Sequence, residues 1–168
     1  MLLVSRRRLL ASLLLAAPAS AFAAQRSAAD AHLPPLDDLR PIAQLIARNK
    51  APLLVLFSTP GCPFCREVRR NYLAPRVGEQ LQLATAELLL READITSQRP
   101  LIDLTGAVIT EAEFATRYSV RAVPVVALFD QSLQLIAEPL VGLDRSGFYE
   151  GYLAAAIESA RKRLRQTS

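Results

Sequence analysis

The stretch STPGCPFCREVRR, Ser58 to Arg70, decides how this chain is read. It holds both cysteines of the 168-residue sequence, Cys62 and Cys65, with Pro63 and Phe64 between them. Just upstream, Leu53 to Phe57 reads LLVLF, a short continuous apolar run that suits a strand buried on both faces. Downstream, Cys65, Val68 and Tyr72 share one face of a helix expected from about Cys62 to Leu73, with Pro75 stopping it. The cysteines therefore stand where a buried strand gives way to a helix. In open α/β sheets that edge is where sites tend to form.

A disulfide stabilises a fold mainly by constraining the unfolded chain, and more so for a longer loop. A bridge between Cys62 and Cys65 constrains almost nothing, so the pair is a poor staple and points to chemistry. The first N–H groups of a helix lack intrahelical partners and carry partial positive charge. A thiolate placed there is stabilised, with its pKa lowered from about 8.5 into a range of roughly 3.5–7.5. Cys62 stands at the helix start, and Pro63 fits the first helical position, where a missing N–H costs nothing. Cys65 lies one turn on, on the inner face. Cys62 is thus the attacking thiol and Cys65 the resolving thiol that breaks a mixed disulfide. Arg66 follows Cys62 by one helical turn and suits either thiolate stabilisation or attraction of acidic partners; a solvated surface arginine fits the pattern as well. Structural zinc wants four ligands. Here there is one cysteine pair and one histidine, His32, which falls in the expected lead-in, so no metal and no organic cofactor are expected.

The N-terminus reads MLLVSRRRLLASLLLAAPASAFAAQ. Arg6, Arg7 and Arg8 form a positive region, Leu9 to Ala17 a short apolar run, and Ala21-Phe22-Ala23 a small-x-small cleavage site. Residues 1–23 are read as a secretory signal peptide, and the run Ser5 to Leu10 also resembles a twin-arginine export signal. The apolar run is short against the roughly 20 residues of a spanning helix, so the mature form is not expected to span a membrane. Cleavage removes three of the 20 basic residues and none of the 16 acids, taking the net charge from +4 to +1. The basic pI of 9.5 then belongs mainly to the precursor, and a nucleic-acid partner has no compositional support. Export fits the cysteines, since disulfides persist outside the cytoplasm. The expected location is periplasmic.

Residues 24–35 read as a flexible lead-in and 36–168 as one domain. A helix is expected from about Leu36 to Asn49. A second strand covers Leu88 to Ile95, after a segment from Val77 to Ala86 that is expected to be helical. Leu101 to Thr110 suggests a small hairpin around Thr105-Gly106. Thr110 and Glu113 form a T-x-x-E capping box, opening a helix to about Tyr118. Val123 to Phe129 is a third strand, Gln134 to Leu140 a fourth ended by Gly142, and Ser146 to Leu164 a last helix. The class is α/β: a mixed central sheet of about four strands flanked by helices, with a small insert before the third strand.

Three segments carry a family resemblance. FSTPGCPFC after an apolar strand resembles the active-site start of the thioredoxin family; YSVRAVPVVALFD resembles its second landmark; LVGLDRSGFYEGYL resembles its final strand, glycine and helix. The signal and the insert READITSQRPLIDLTGAVITEAEFATRYSV look most like the periplasmic SoxW-like thioredoxins. The resemblance implies a thioredoxin-like fold and makes Cys62 the nucleophile and Cys65 the resolver of a redox disulfide, with Pro63 and Phe64 in the active-site loop. It also implies that Pro124 is a cis-proline facing the disulfide. Val123 would then offer its backbone to a bound substrate strand. Two positions depart from the family. Many members carry tryptophan before the first cysteine, where this chain has Gly61 and no tryptophan at all; many carry a buried acid six residues before it, where this chain has Leu56.

The function expected is exported thiol–disulfide exchange, with net reduction of protein disulfides fed by a membrane electron donor, by a monomer. Net oxidation is the other direction the same dithiol supports. A chaperone module, or a metallochaperone holding copper(I) between two thiolates, is the alternative from a different class.

Overall fold

The computed structural model describes residues 32–77, 86–144 and 146–166; the expected signal peptide and most of the segment from Val77 to Ala86 lie outside them. Helix α1 (Leu39–Asn49) is capped by Asp38, whose carboxylate accepts the Arg40 N–H at 2.9 Å. It leads into β1 (Leu53–Ser58), six residues buried without exception. Such a run needs cover on both faces and partners on both edges. It finds them in β2 (Leu89–Asp94), parallel with Leu53 opposite Leu89, and β5 (Val125–Phe129), antiparallel with Leu53 opposite Phe129. The sheet order is β2-β1-β5-β6, with β6 (Leu140–Val141) antiparallel to β5. A separate two-stranded hairpin, β3 (Pro100–Ile102) with β4 (Val108–Thr110), forms the insert.

The helices cover both faces. On one, Phe114 of α4 (Glu111–Arg117) stacks on Phe57 at 5.9 Å between centroids, and Tyr118 meets Phe129 edge-on at 4.7 Å. On the other, the helical segment that follows α2 (Pro63–Val68) lies beside α5 (Tyr149–Gln166), with the rings of Tyr72 and Tyr149 4.8 Å apart between centroids. The buried stripe of α5 is Tyr149, Leu153, Ile157, Ala160 and Leu164. The capping box on α4 is complete: Glu113 N–H donates to Thr110 Oγ1 at 3.1 Å, and Thr110 N–H to Glu113 Oε2 at 2.7 Å. Arg99 pins the insert to the domain by donating to the Leu36 carbonyl, Asp37 and the buried Glu111.

Three expectations need correction. Pro75 does not stop the helix after Cys65. The chain passes through a π-helical turn (Arg69–Leu73) into a further helical turn, α3 (Ala74–Val77). A proline ring clashes with the carbonyl four residues back in an α-helix. Here Ala74 N–H reaches back five residues to Arg69, and that wider turn makes room for the ring. The fourth strand is not Gln134 to Leu140: only Leu135 bridges Phe129, and the regular pairing is Leu140–Val141. Pro139, which has no N–H to give, breaks the ladder between them, and Leu133 at φ 57° belongs to the turn ahead of Leu135. Finally, the described end of the expected lead-in is pinned: Leu33 is buried, the Pro34 carbonyl accepts Glu92 N–H at 2.9 Å, and Pro35 bridges Glu92.

Candidate active site

Ser58 ends β1, and the chain turns through Thr59, Pro60 and Gly61 before α2 begins. Gly61 sits at φ +77°, a conformation that glycine adopts without steric cost. Cys62 is the N-cap of α2, extended at φ −65°, ψ 113°, and Pro63 occupies the first helical position. The Cys62 Sγ accepts the Cys65 backbone N–H at 3.1 Å. A sulfur in the N-cap position thus takes the place of the usual serine or aspartate oxygen. Cys62 and Cys65 are joined as a disulfide, with Cα atoms 5.3 Å apart. Cys62 is half-buried and Cys65 fully buried beneath it. Phe64 is exposed beside them.

Arg66 is exposed and donates from Nη1 to the Gly61 carbonyl at 3.1 Å. That contact folds its charge over the turn ahead of the cysteines. The Val123–Pro124 peptide is cis. Val123 is half-buried and Pro124 buried, and Gly142 N–H donates to the Pro124 carbonyl at 2.8 Å. A hollow of about 300 Å³ lies beside that loop, lined by Val120, Arg121, Val125 and Val141 among others. His32 is exposed and lines an opening that also borders Thr59, Pro60 and Glu92. Among the described residues no group of three or more histidine, cysteine or acidic side chains is placed to hold a metal.

Leu56 is fully buried in β1. Its neighbour in register on β2 is Glu92, a residue that the sequence reading passed over. Glu92 Oε1 accepts the Ser58 hydroxyl at 2.6 Å, and Oε2 accepts Arg69 Nε at 2.8 Å. A second contact, from Arg69 Nη2 to Oε1, makes the pair bidentate. Both side chains are largely buried. The sequence signal was present: Arg91-Glu92 breaks the apolar run that opens the strand, in LLLREADI. Glu67, the acid nearest the cysteines in sequence, is exposed.

A half-exposed cysteine at a helix start, bridged to a buried cysteine one turn on, is a dithiol–disulfide couple set to exchange with other thiols. The protein is a thiol–disulfide oxidoreductase. Residues 41–155 match the family described as thioredoxin-like domain, and the chain belongs to that family. Solved structures that this chain is similar to include oxidised mitochondrial thioredoxin 3 from Saccharomyces cerevisiae, at 19% identity and TM-score 0.46 over 75% of this chain and 93% of that one. Fasciola hepatica thioredoxin matches at 22% identity and TM-score 0.46, over 75% and 97%. A thioredoxin-fold protein from Helicobacter pylori matches at 16% and 0.43, over 74% and 96%. No curated protein matches the sequence.

Proposed function

We propose that the protein is exported and reduces protein disulfides in the periplasm, in the manner of the SoxW-like thioredoxins. The observation that carries the division of labour is the contrast between the two sulfurs: Cys62 is half-exposed and accepts a backbone N–H, whereas Cys65 is buried. In the reduced protein the Cys62 thiolate attacks one sulfur of a substrate disulfide. A mixed disulfide forms, and one substrate thiolate leaves and takes a proton. The Cys65 thiolate then attacks the Cys62 sulfur, the second substrate thiolate leaves, and Cys62–Cys65 is the new disulfide. Two electrons have passed to the substrate, and a membrane-held dithiol donor restores the couple by the same exchange in reverse. The cis-proline loop supports the reading that Val123 offers its backbone to the substrate chain.

Export rests on Arg6–Arg8, the apolar run Leu9 to Ala17 and the Ala21-Phe22-Ala23 site. Among the described residues no helix is long and apolar enough to cross a membrane. Two measurements test the reading. N-terminal sequencing of the periplasmic protein should begin at Ala24, and a stably embedded chain retaining Met1 would overturn export. The reduction potential of the Cys62–Cys65 couple should lie near that of reducing thioredoxins, about −270 mV. A value near that of a strong oxidant, about −120 mV, would reverse the direction while leaving the exchange chemistry in place.

A further inference from the structure

Glu92 is the one carboxylate among the described residues that touches both flanks of the cysteine loop. On the upstream side it accepts from Ser58, the last residue of β1, whose own carbonyl accepts Ile95 N–H at 3.0 Å. On the downstream side it holds the guanidinium of Arg69, and the Arg69 backbone N–H donates to the Cys65 carbonyl. Arg69 is the fourth residue after Cys65, the spacing that puts two side chains on one helix face, with Cβ atoms about 5–6 Å apart. Arg69 is 19% and Glu92 15% exposed, so water screens their charges weakly. The other charged groups around the same opening are spoken for or peripheral. Arg99 and Glu111 pair with each other, Asp94 accepts from Thr96, and His32 stands at the rim.

We propose that Glu92 is a positioning residue for the dithiol, acting through Arg69: it neutralises a guanidinium that would otherwise bear directly on the two sulfurs, and so sets the thiolate pKa and the reduction potential. The proposal rests on the exchange reading above and deepens it. A buried cation near a sulfur favours the thiolate, and a buried anion disfavours it. As a bidentate pair the two nearly cancel. The acid lies one strand over from Leu56, so this chain sets a balanced charge pair, an arginine from the helical segment after Cys65 and a glutamate from β2, beside the turn that leads into its cysteines.

The test uses the full chain and reads the Cys62 pKa, by thiolate absorbance against pH, together with the potential of the couple. Glu92→Gln leaves Arg69 unbalanced. The Cys62 pKa should fall by about one unit, and the dithiol–disulfide equilibrium should shift about tenfold toward the dithiol, a rise of about 30 mV. Arg69→Gln leaves the carboxylate unbalanced and should move both quantities the opposite way. The double variant should return close to the parent, as two halves of one pair do when both are removed. Shifts of the same sign in both single variants, or none, overturn the proposal, because a merely structural contact gives no opposed signs. Should Glu92→Gln fail to fold, Arg69→Gln carries the test alone, and an unchanged Cys62 pKa there overturns the proposal. The exchange reading fails separately, if the parent protein turns over no protein disulfide, and the pKa measurement stands regardless of that outcome.

Discussion

Replacing Leu56 with aspartate would restore an acid at the position where many relatives carry one. The structure changes what that substitution should do. Leu56 is fully buried, with Glu92 on one side and Val126 on the other. Losing its apolar burial costs about 2–5 kcal/mol, and burying a carboxyl group with no partner of its own adds about 1–3 kcal/mol. Against a total stability of about 5–15 kcal/mol for a domain, the variant should fold but be markedly weakened. The new carboxyl also sits across neighbouring strands from Glu92, about 5 Å away. Two like charges at that separation repel by about 3 kcal/mol at an effective dielectric constant of about 20. Arg69 is already occupied, so the new group should stay protonated well above the usual aspartate range.

The consequence for the thiol is specific. Parent Cys62 should titrate below the reference of about 8.5, because its sulfur accepts the Cys65 N–H at the helix start. In Leu56→Asp the new carboxyl and Cys62 titrate against each other, each anion opposing the other, and the apparent Cys62 pKa should rise by about one unit. Leu56→Asn has nearly the same volume and no charge, so the difference between the two variants isolates the electrostatic effect from the packing defect. Thiolate absorbance across pH measures it in both reduced proteins, with circular dichroism confirming the fold. Equal Cys62 pKa values in folded Leu56→Asp and Leu56→Asn would refute the electrostatic reasoning while leaving the family assignment untouched.

The remaining predictions test other links. Cys65→Ala should accumulate mixed disulfides with substrate proteins that vanish on reduction, whereas Cys62→Ala should trap far fewer; the reverse pattern on non-reducing gels would exchange the two roles. Thr110→Ala removes half of the α4 capping box and should cost about 1 kcal/mol, read as a fall in Tm of about 3–5 °C. Asp103 is held down to a pKa of about 2 by the Thr105 hydroxyl, with help from the Thr105 and Ala107 N–H groups and Arg117. A folded-state pKa below the unfolded value stabilises above the unfolded one and is lost as pH falls. The stability gap between parent and Asp103→Asn should therefore be full above about pH 4 and close as pH drops toward 2, and a gap independent of pH across that window in acid-unfolding curves would contradict it.

What the sequence disclosed and what it withheld follow from the range of the interactions. Leu53 to Phe57 and Val123 to Phe129 are legible as strands because burial on both faces leaves an apolar run, although the regular strand begins only at Val125, after Pro124. Thr110 and Glu113 were legible because a capping box lies within four residues. The Glu92–Arg69 pair spans 23 positions and the Ser58–Glu92 bond spans 34. Only strand register brings those residues together, and no local pattern records it. The fourth strand was misplaced for a related reason. Gln134 to Leu140 has strand composition, but pairing with β5 depends on donors at particular positions, and Pro139 supplies none. The π-helical turn before Pro75 escaped because the rule that proline ends a helix assumes bonds four residues back, and this helix reaches back five.

Strand direction explains why such distant segments share one site. β1 and β5 are antiparallel, and so are β5 and β6. The C-terminal end of β1, the N-terminal end of β5 and the C-terminal end of β6 therefore lie at one edge of the sheet. That edge brings together the turn into Cys62, the Val123–Pro124 peptide and Gly142, and the Gly142 N–H to Pro124 carbonyl bond joins the last two. β2 runs parallel to β1, so its C-terminal half, with Glu92, comes to the same edge from the other side. The cysteines thus have the proline loop beside them on one flank and the Glu92–Arg69 pair on the other. Burial differs across them in the same sense: Val141 beyond the proline loop is 73% exposed, whereas Glu92 is 15% exposed. On the proposed reading a substrate would reach Cys62 from the open flank, and the closed flank is where an unbalanced charge would be screened least.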